Sequence, residues 1–265
     1  MNDVLINYVR CGEGKPLLLV HGLGSNWRSW RTILKPLAAQ RSVTAIDLPG
    51  FGKSPPLVGR VSVPAMSDAI AQFLREHELL GTDAVGSSVG ARLLLDLARR
   101  RGMLGAVVSL GPVGFWNGWE RRAYQTSVCF WWRLAKALNQ PMPAITTHDW
   151  SRRLLVKQLS ARPASLSAPQ VLEEMRSCAS AASFRAMLDG LVHSGPVEGA
   201  AAGTLGHRLV IGWGRFDRIC FPRQAERAQR LFPDARMHWF ERCGHYPHWD
   251  APEETTRLIL RATAD

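Results

Sequence analysis

Gly86-Ser87-Ser88-Val89-Gly90 decides how this chain is read. It has the form G-x-S-x-G, with a short apolar segment before it (Ala84, Val85) and a helix-like run after it at residues 91–101. A serine raised above the end of a parallel sheet needs a very tight strand-to-helix turn, and glycines two residues to either side leave room for one. The following helix turns its N-terminal amides, the positive end of its dipole, toward that turn. Register singles out Ser88: glycine stands two residues away on both sides of it, where Ser87 has Val85 and Val89.

The flanking segments keep one rhythm. Residues 17–20 and 43–46 are short apolar runs of the kind buried on both faces of a sheet. Each opens into a loop rich in breakers, His21-Gly22-Leu23-Gly24 and Asp47-Leu48-Pro49-Gly50-Phe51-Gly52. Helical spacing is expected over 27–39 and 64–80, and the helix after the serine closes on Arg99-Arg100-Arg101-Gly102, a normal helix stop. Residues 106–110 form another strand, and 4–9 an antiparallel lead strand. Strands alternating with helices imply right-handed crossovers and a mostly parallel sheet.

That rhythm lapses between 113 and 205, where only helical patterns occur, at 121–138, 150–159 and 169–192. The last opens on Ser167-Ala168-Pro169-Gln170, a capping box with proline in the first turn. Five of the ten tryptophans fall here, at 116, 119, 131, 132 and 150. The expected division is a core at 1–112, a helical cap at 113–205 and the rest of the core at 206–265. The α/β pattern resumes with a strand at 209–212, a helix at 223–231 and a strand at 237–240. A closing helix follows to about 262, opened by a second capping-box pattern, Asp250-Ala251-Pro252-Glu253.

Composition narrows the class. A chain of 265 residues with 46% hydrophobic content buries a sizeable core. No apolar run reaches the roughly 18 residues of a membrane span. The first ten residues lack a basic-then-apolar leader, and the five scattered cysteines lack paired or zinc spacing. Free thiols in the cytoplasm are the expectation. The net charge of +11 is mostly arginine spread along the chain, a pattern of solubility and not of nucleic-acid binding.

A serine hydroxyl needs a base to become a nucleophile, and the base needs an acid to orient it. Asp217 follows the strand at 209–212, in Gly214-Arg215-Phe216-Asp217, and His245 follows the strand ending at Phe240, in Gly244-His245. Both lie where loops at the carboxyl ends of parallel strands share one crevice. The order Ser88, Asp217, His245 therefore reads as nucleophile, acid and base. Residues 110–116 offer no competing acid. Of the eight histidines His248 competes with His245, but it reads as a surface-loop residue, while Gly244 allows His245 a close approach. His21 precedes the serine turn and reads as structural. An oxyanion hole needs two backbone N–H groups, expected from Val89 and Leu23. Trp116 and Trp119, nearest the sheet edge in sequence, and Tyr246, beside the base, are candidates for the pocket wall.

These motifs together resemble the α/β-hydrolase fold family over nearly the whole chain. The resemblance implies an eight-stranded, mostly parallel sheet with helices on both faces, a helical cap after the sixth strand, and no cofactor or metal. It is nearest the branch of small bacterial esterases, lactonases, cofactor-free haloperoxidase-like esterases and carbon–carbon hydrolases of ring-cleavage products. Serine at 88 departs from the aspartate of this fold's dehalogenases and epoxide hydrolases, which excludes both activities.

The leading expectation is a serine hydrolase that cleaves a hydrophobic ester or lactone of small to medium size through an acyl-enzyme. The alternatives are a carbon–carbon hydrolase with the same triad and a slow-turnover ligand receptor. The expected partner is a small molecule, not nucleic acid or membrane. Monomer and homodimer stay equally open.

Overall fold

The structure, a computed structural model, describes residues 5–100 and 102–264. Val4 and Arg101, which enter the expected lead strand and helix stop, lie outside the described residues. Short β-prone runs separated by helices build one sheet from β1 (Tyr8–Cys11), β2 (Pro16–Val20), β3 (Ser42–Ile46), β4 (Asp83–Ser87), β5 (Val107–Leu110), β6 (Leu209–Gly214) and β7 (Arg236–Phe240), in the order β1-β3-β2-β4-β5-β6-β7. Only β1 runs antiparallel, against β3. The chain has the expected α/β-hydrolase fold, with seven strands among the described residues in place of eight. The lead strand is Tyr8–Cys11 instead of 4–9, because Asn7 already bonds the loop after β3: its N–H donates to Ser54 Oγ (2.8 Å) and its carbonyl accepts from Asp47 N–H (2.8 Å).

The period-2 alternation of strand side chains divides the core. Leu17 and Leu19 pack with Ile33, Leu37 and Ile259 of the helices Arg31–Ala38 and Pro252–Ala262. Leu18 and Val20 face the other way, onto Met66, Ile70 and Leu93 of the helices Val63–Glu76 and Val89–Ala98. Full burial of each such side chain favours folding by about 1.5–3 kcal/mol. At the end of the sheet away from the serine turn, buried Arg41 pairs with Asp83 (2.5 Å) and donates to the Thr263 carbonyl (3.2 Å), tying β3, β4 and the closing helix together.

The insertion leaves the sheet after β5, the fifth strand of seven, and returns at β6. It holds the helices Trp119–Ala137, Met142–Ile145, Asp149–Leu155, Ala168–Ser180 and Phe184–Val192. The capping box forms at Ser167 and Gln170. The single helix expected over 169–192 is broken at 181–183. There Ser183 N–H donates to Gly50 O (3.1 Å), so docking onto the loop after β3 overrides local helix propensity. The insertion has its own small core, including Met142, Val171 and Met175, completed by Tyr246 and Trp249 from beyond β7.

The five cysteines are free. Arg99 and Arg100 pair with Asp96, Glu198 and Asp68 just past the helix end at Ala98. No described helix is long and apolar enough to cross a membrane.

Candidate active site

Ser88 stands between β4 and the helix Val89–Ala98, as that helix's N-cap, with φ +56° and ψ −111°. Only Glu78 among the other described non-glycine residues has positive φ. Such a backbone costs about 1–3 kcal/mol and persists only where its surroundings enforce it. Here they do. A Cβ on Gly86 would lie 2.5 Å from Ala91 N, and one on Gly90 would lie 2.2 Å from Val20 O. Strand and helix therefore meet at van der Waals limits on both sides of the serine. Ser87 ends β4 and is buried inside the sheet, so the turn presents Ser88.

Asp217 follows β6 in a loop held by Trp213, whose Nε1–H donates to Cys220 O (2.8 Å). Asp217 Oδ1 accepts from the N–H groups of Ile219 and Cys220, both at 2.8 Å. Its Oδ2 lies 2.8 Å from His245 Nδ1. The pair is fully enclosed. A carboxylate only accepts, so Nδ1 carries the imidazole proton and Nε2 keeps a lone pair. Nε2 is buried without a hydrogen-bond partner among the described residues. His245 and Ser88 line one cavity.

The loop bearing His245 is fixed by a carboxylate with a different expected role. Asp250 does not cap the closing helix, whose N-cap is Ala251 without a side-chain bond. Asp250 instead accepts from Gly244 N–H (2.7 Å), Ala161 N–H (2.8 Å) and Ser160 Oγ–H. It joins the His245 loop to the insertion. Gly244 does permit a close approach, but to this insertion segment: its Cβ would lie 2.8 Å from Ala161 N.

His248 is not on the surface. Its ring is wholly buried, 4.5 Å from Trp30 and 5.0 Å from Tyr246 between ring centres. Burial, with His245 nearby, pushes it down to about 3. Neither ring nitrogen has a partner among the described residues, and Asp217 reaches His245 instead. His21 has the structural placement expected of it. Leu48 N–H donates to its Nε2 (2.9 Å), which makes Nδ1 the donor to Gly22 O (2.7 Å). Burial lowers its pKa and keeps it neutral.

Leu23 lines the cavity with Ser88, and Val89 heads the helix directly after it. Gly22 lies against both Ser88 and Tyr246. Tyr246 stacks beside His245 (5.3 Å) and lines the cavity, its phenol pushed up by burial. Trp116 and Trp119 do not line it. Trp116 packs on Tyr124, and Trp119, 59% exposed, packs at a tilt on Phe221 and lies under Arg223. The helix Trp119–Ala137 instead turns Tyr124, Val128, Trp131 and Trp132 inward. Their spacing of i, i+4, i+7 and i+8 is one helical face, a signal already present in the sequence. Glu174 was missed as well. It lies on the apolar stripe Val171, Met175, Cys178 of the helix Ala168–Ser180 and lines the same cavity.

Asp217, Cys220 and His245 are close enough to suggest a metal cluster. Their chemistry does not suit one. Both Asp217 oxygens are engaged, and burial, then Asp217, push the Cys220 thiol well above its ordinary range.

The profile of the alpha/beta hydrolase family matches residues 17–258. The chain belongs to that family. It is 26% identical to the 2-hydroxy-6-oxo-2,4-heptadienoate hydrolase of Pseudomonas putida, over 94% of this chain and 88% of that one. In structure it is similar to a thermophilic esterase from Thermogutta terrifontis, with a TM-score of 0.75, 21% identity, and coverage of 97% of this chain and 92% of that one. It is also similar to the enol-lactonase of Burkholderia xenovorans LB400, with a TM-score of 0.76 and 14% identity, covering 100% and 98%. At these identities the structural likenesses speak to the fold.

Proposed function

We propose that this alpha/beta hydrolase is a serine hydrolase that cleaves a carboxylic ester or lactone of a small to medium hydrophobic molecule. One observation carries the reading. The Asp217–His245 bond leaves Nε2 without a partner among the described residues, and His245 and Ser88 line one cavity. His245 Nε2 takes the proton from Ser88 Oγ as the oxygen attacks the substrate carbonyl. The amides of Leu23 and Val89 hold the oxyanion, and Asp217 stabilises the imidazolium. His245 then protonates the leaving alcohol. Water, deprotonated by the same nitrogen, releases the acid and restores Ser88. No cofactor enters these steps.

The carbon–carbon reading is second. The Pseudomonas relative acts, by its name, on a dienoate, which carries a carboxylate. Among the described residues no lysine or arginine lines the cavity to receive one, and its walls are mostly apolar, which favours an uncharged ester or lactone.

The test is hydrolysis of p-nitrophenyl esters, simple lactones and a ring-cleavage dienoate by wild type and Ser88→Ala, with covalent labelling by a serine-directed phosphonate. Wild type is expected to turn over esters or lactones and to label. Ser88→Ala is expected to lose at least about 10³-fold in kcat and all labelling, with an unchanged circular dichroism spectrum. Full activity in Ser88→Ala would remove Ser88 from the mechanism. Faster turnover of the dienoate would reverse the ranking of substrates.

A further inference from the structure

The cavity beside Ser88 and His245 is walled by apolar side chains such as Val128, Trp131, Leu159 and Phe184, with one carboxyl among its described residues, Glu174. Glu174 is 7% exposed. Its Oε2 accepts from Ser25 Oγ–H at 3.0 Å, and Oε1 makes no hydrogen bond among the described residues. No cation among the described residues is paired with it. The neighbouring Glu173 takes the local partners, 3.7 Å from Arg28 Nη1 and 3.4 Å from Asn26 Nδ2. Arg28 and Arg31 line a second, outer pocket together with Glu173 and Glu174, and both guanidinium groups lie over Trp27. Toward the cavity Glu174 faces Cys178 and Tyr246, both held protonated by burial. A lone buried carboxyl in an apolar wall is costly unless a ligand uses it.

We propose that Glu174 is a specificity residue of this cavity: its carboxyl hydrogen-bonds an uncharged oxygen in the substrate chain and turns away substrates that carry a carboxylate there. The inference rests on the reading of Ser88 as nucleophile and narrows its substrate class to uncharged esters or lactones bearing an ether, keto or hydroxyl oxygen. A substrate carboxylate would enter this wall without a cation and beside a second carboxyl. An uncharged oxygen would accept the Glu174 O–H. Burial pushes Glu174 up to about 8; Ser25 opposes that shift and Glu173 adds to it. The O–H donor is therefore present at neutral pH. Above about pH 8 the wall becomes anionic, and selection against a substrate carboxylate strengthens.

Three p-nitrophenyl esters of matched length test this: octanoate, 6-methoxyhexanoate and hydrogen adipate. Their kcat/KM ratios are read from pH 6.5 to 9 in wild type, Glu174→Gln and Glu174→Leu, so that any titration of the triad cancels. In wild type the adipate-to-octanoate ratio is expected to fall about tenfold across that range, and in Glu174→Gln to stay flat. The methoxyhexanoate-to-octanoate ratio is expected to fall about tenfold in Glu174→Leu and to survive in Glu174→Gln, which keeps a donor. Ratios within twofold of wild type in both variants, or a flat adipate ratio in wild type, overturn the proposal. The wild-type pH series decides even where a variant does not fold. If no ester is cleaved and the serine-directed phosphonate does not label Ser88, the nucleophile reading fails by itself. Selection is then read from tryptophan quenching by octanamide, 6-methoxyhexanamide and adipamate, and equal affinities for the three would overturn it.

Discussion

Ser88 keeps its left-handed backbone because Gly86 and Gly90 let the sheet and helix close on it, and Gly22 completes that enclosure from the side. A Cβ at position 22 would lie 2.8 Å from Tyr246 Oη and 3.1 Å from Ser88 Cβ. Tyr246 is buried against His245 and Trp249 and has little room to retreat, so the serine and the Leu23 loop must move apart. Gly22→Ala is therefore expected to lower kcat/KM for a p-nitrophenyl ester about 10–100-fold, with a modest loss of melting temperature. Wild-type kinetics in a folded Gly22→Ala protein would show that the contact does not position the serine. At this scale the sequence was informative where local turn geometry decides, as at the tight turn that carries Ser88 and the loops that bring Asp217 to His245. It was silent where burial alone decides. His248 stands three residues from His245 in a similar-looking loop, and only its packing under Trp30 marks it as an interior ring. Asp250 has a capping-box pattern, yet its carboxylate meets the amides of Gly244 and Ala161, the latter 89 residues away in sequence.

At the scale of elements, the strands were legible because parallel strands are buried on both faces and read as short apolar runs. The insertion was less so, because a helix's inward face is set by what it packs on. Choosing Trp116 and Trp119 by nearness to the sheet edge ignored the direction of the helix Trp119–Ala137, whose inward face begins a turn later at Tyr124. Glu174 was hidden because Glu173 and Glu174 look alike in sequence; the Val171, Met175, Cys178 stripe tells which one is buried. The two tryptophan sets make opposite predictions. Trp132 lines the cavity and stacks on Phe184 at 5.2 Å, nearly parallel. Trp132→Ala is expected to enlarge the cavity and move the best acyl chain two or more carbons longer, with a stability cost of about 2–4 kcal/mol. Trp119→Ala, on the outer face, is expected to leave kcat/KM within about twofold on the same ester series. An unchanged chain-length optimum in Trp132→Ala would place the acyl group elsewhere.

For the whole molecule, two buried groups on opposite sides of neutrality shape stability against pH. Glu174 titrates at about 8 when folded and 4.5 when free. Between those values the unfolded chain has released a proton that the native state keeps, so stability falls as pH rises, by about 1.4 kcal/mol per unit at most. His248 titrates at about 3 when folded and 6.5 when free. Between those values the unfolded chain holds a proton that the native state refuses, so stability falls as pH drops. From about 4.5 to 6.5 the two slopes oppose each other and their combined effect is small. Above 6.5 Glu174 acts alone of the two, and below 4.5 His248 does. Thermal melts should therefore show a plateau near pH 5–6 and decline on both sides, with wild-type melting temperature falling about 3 °C or more per unit between pH 6.5 and 8. Glu174→Gln removes the titration behind the alkaline limb and should flatten it while leaving the acid limb. His248→Phe, a buried ring of similar size beside Trp30, should make the acid limb shallower and leave the alkaline one, with buried His21 keeping a contribution of the same sign. If both variants keep the wild-type profile, the pH dependence arises elsewhere and neither group is held away from its unfolded-state titration. If Glu174→Gln alone flattens its limb, the carboxyl is neutral at pH 7, which is the state its proposed hydrogen bond to substrate requires.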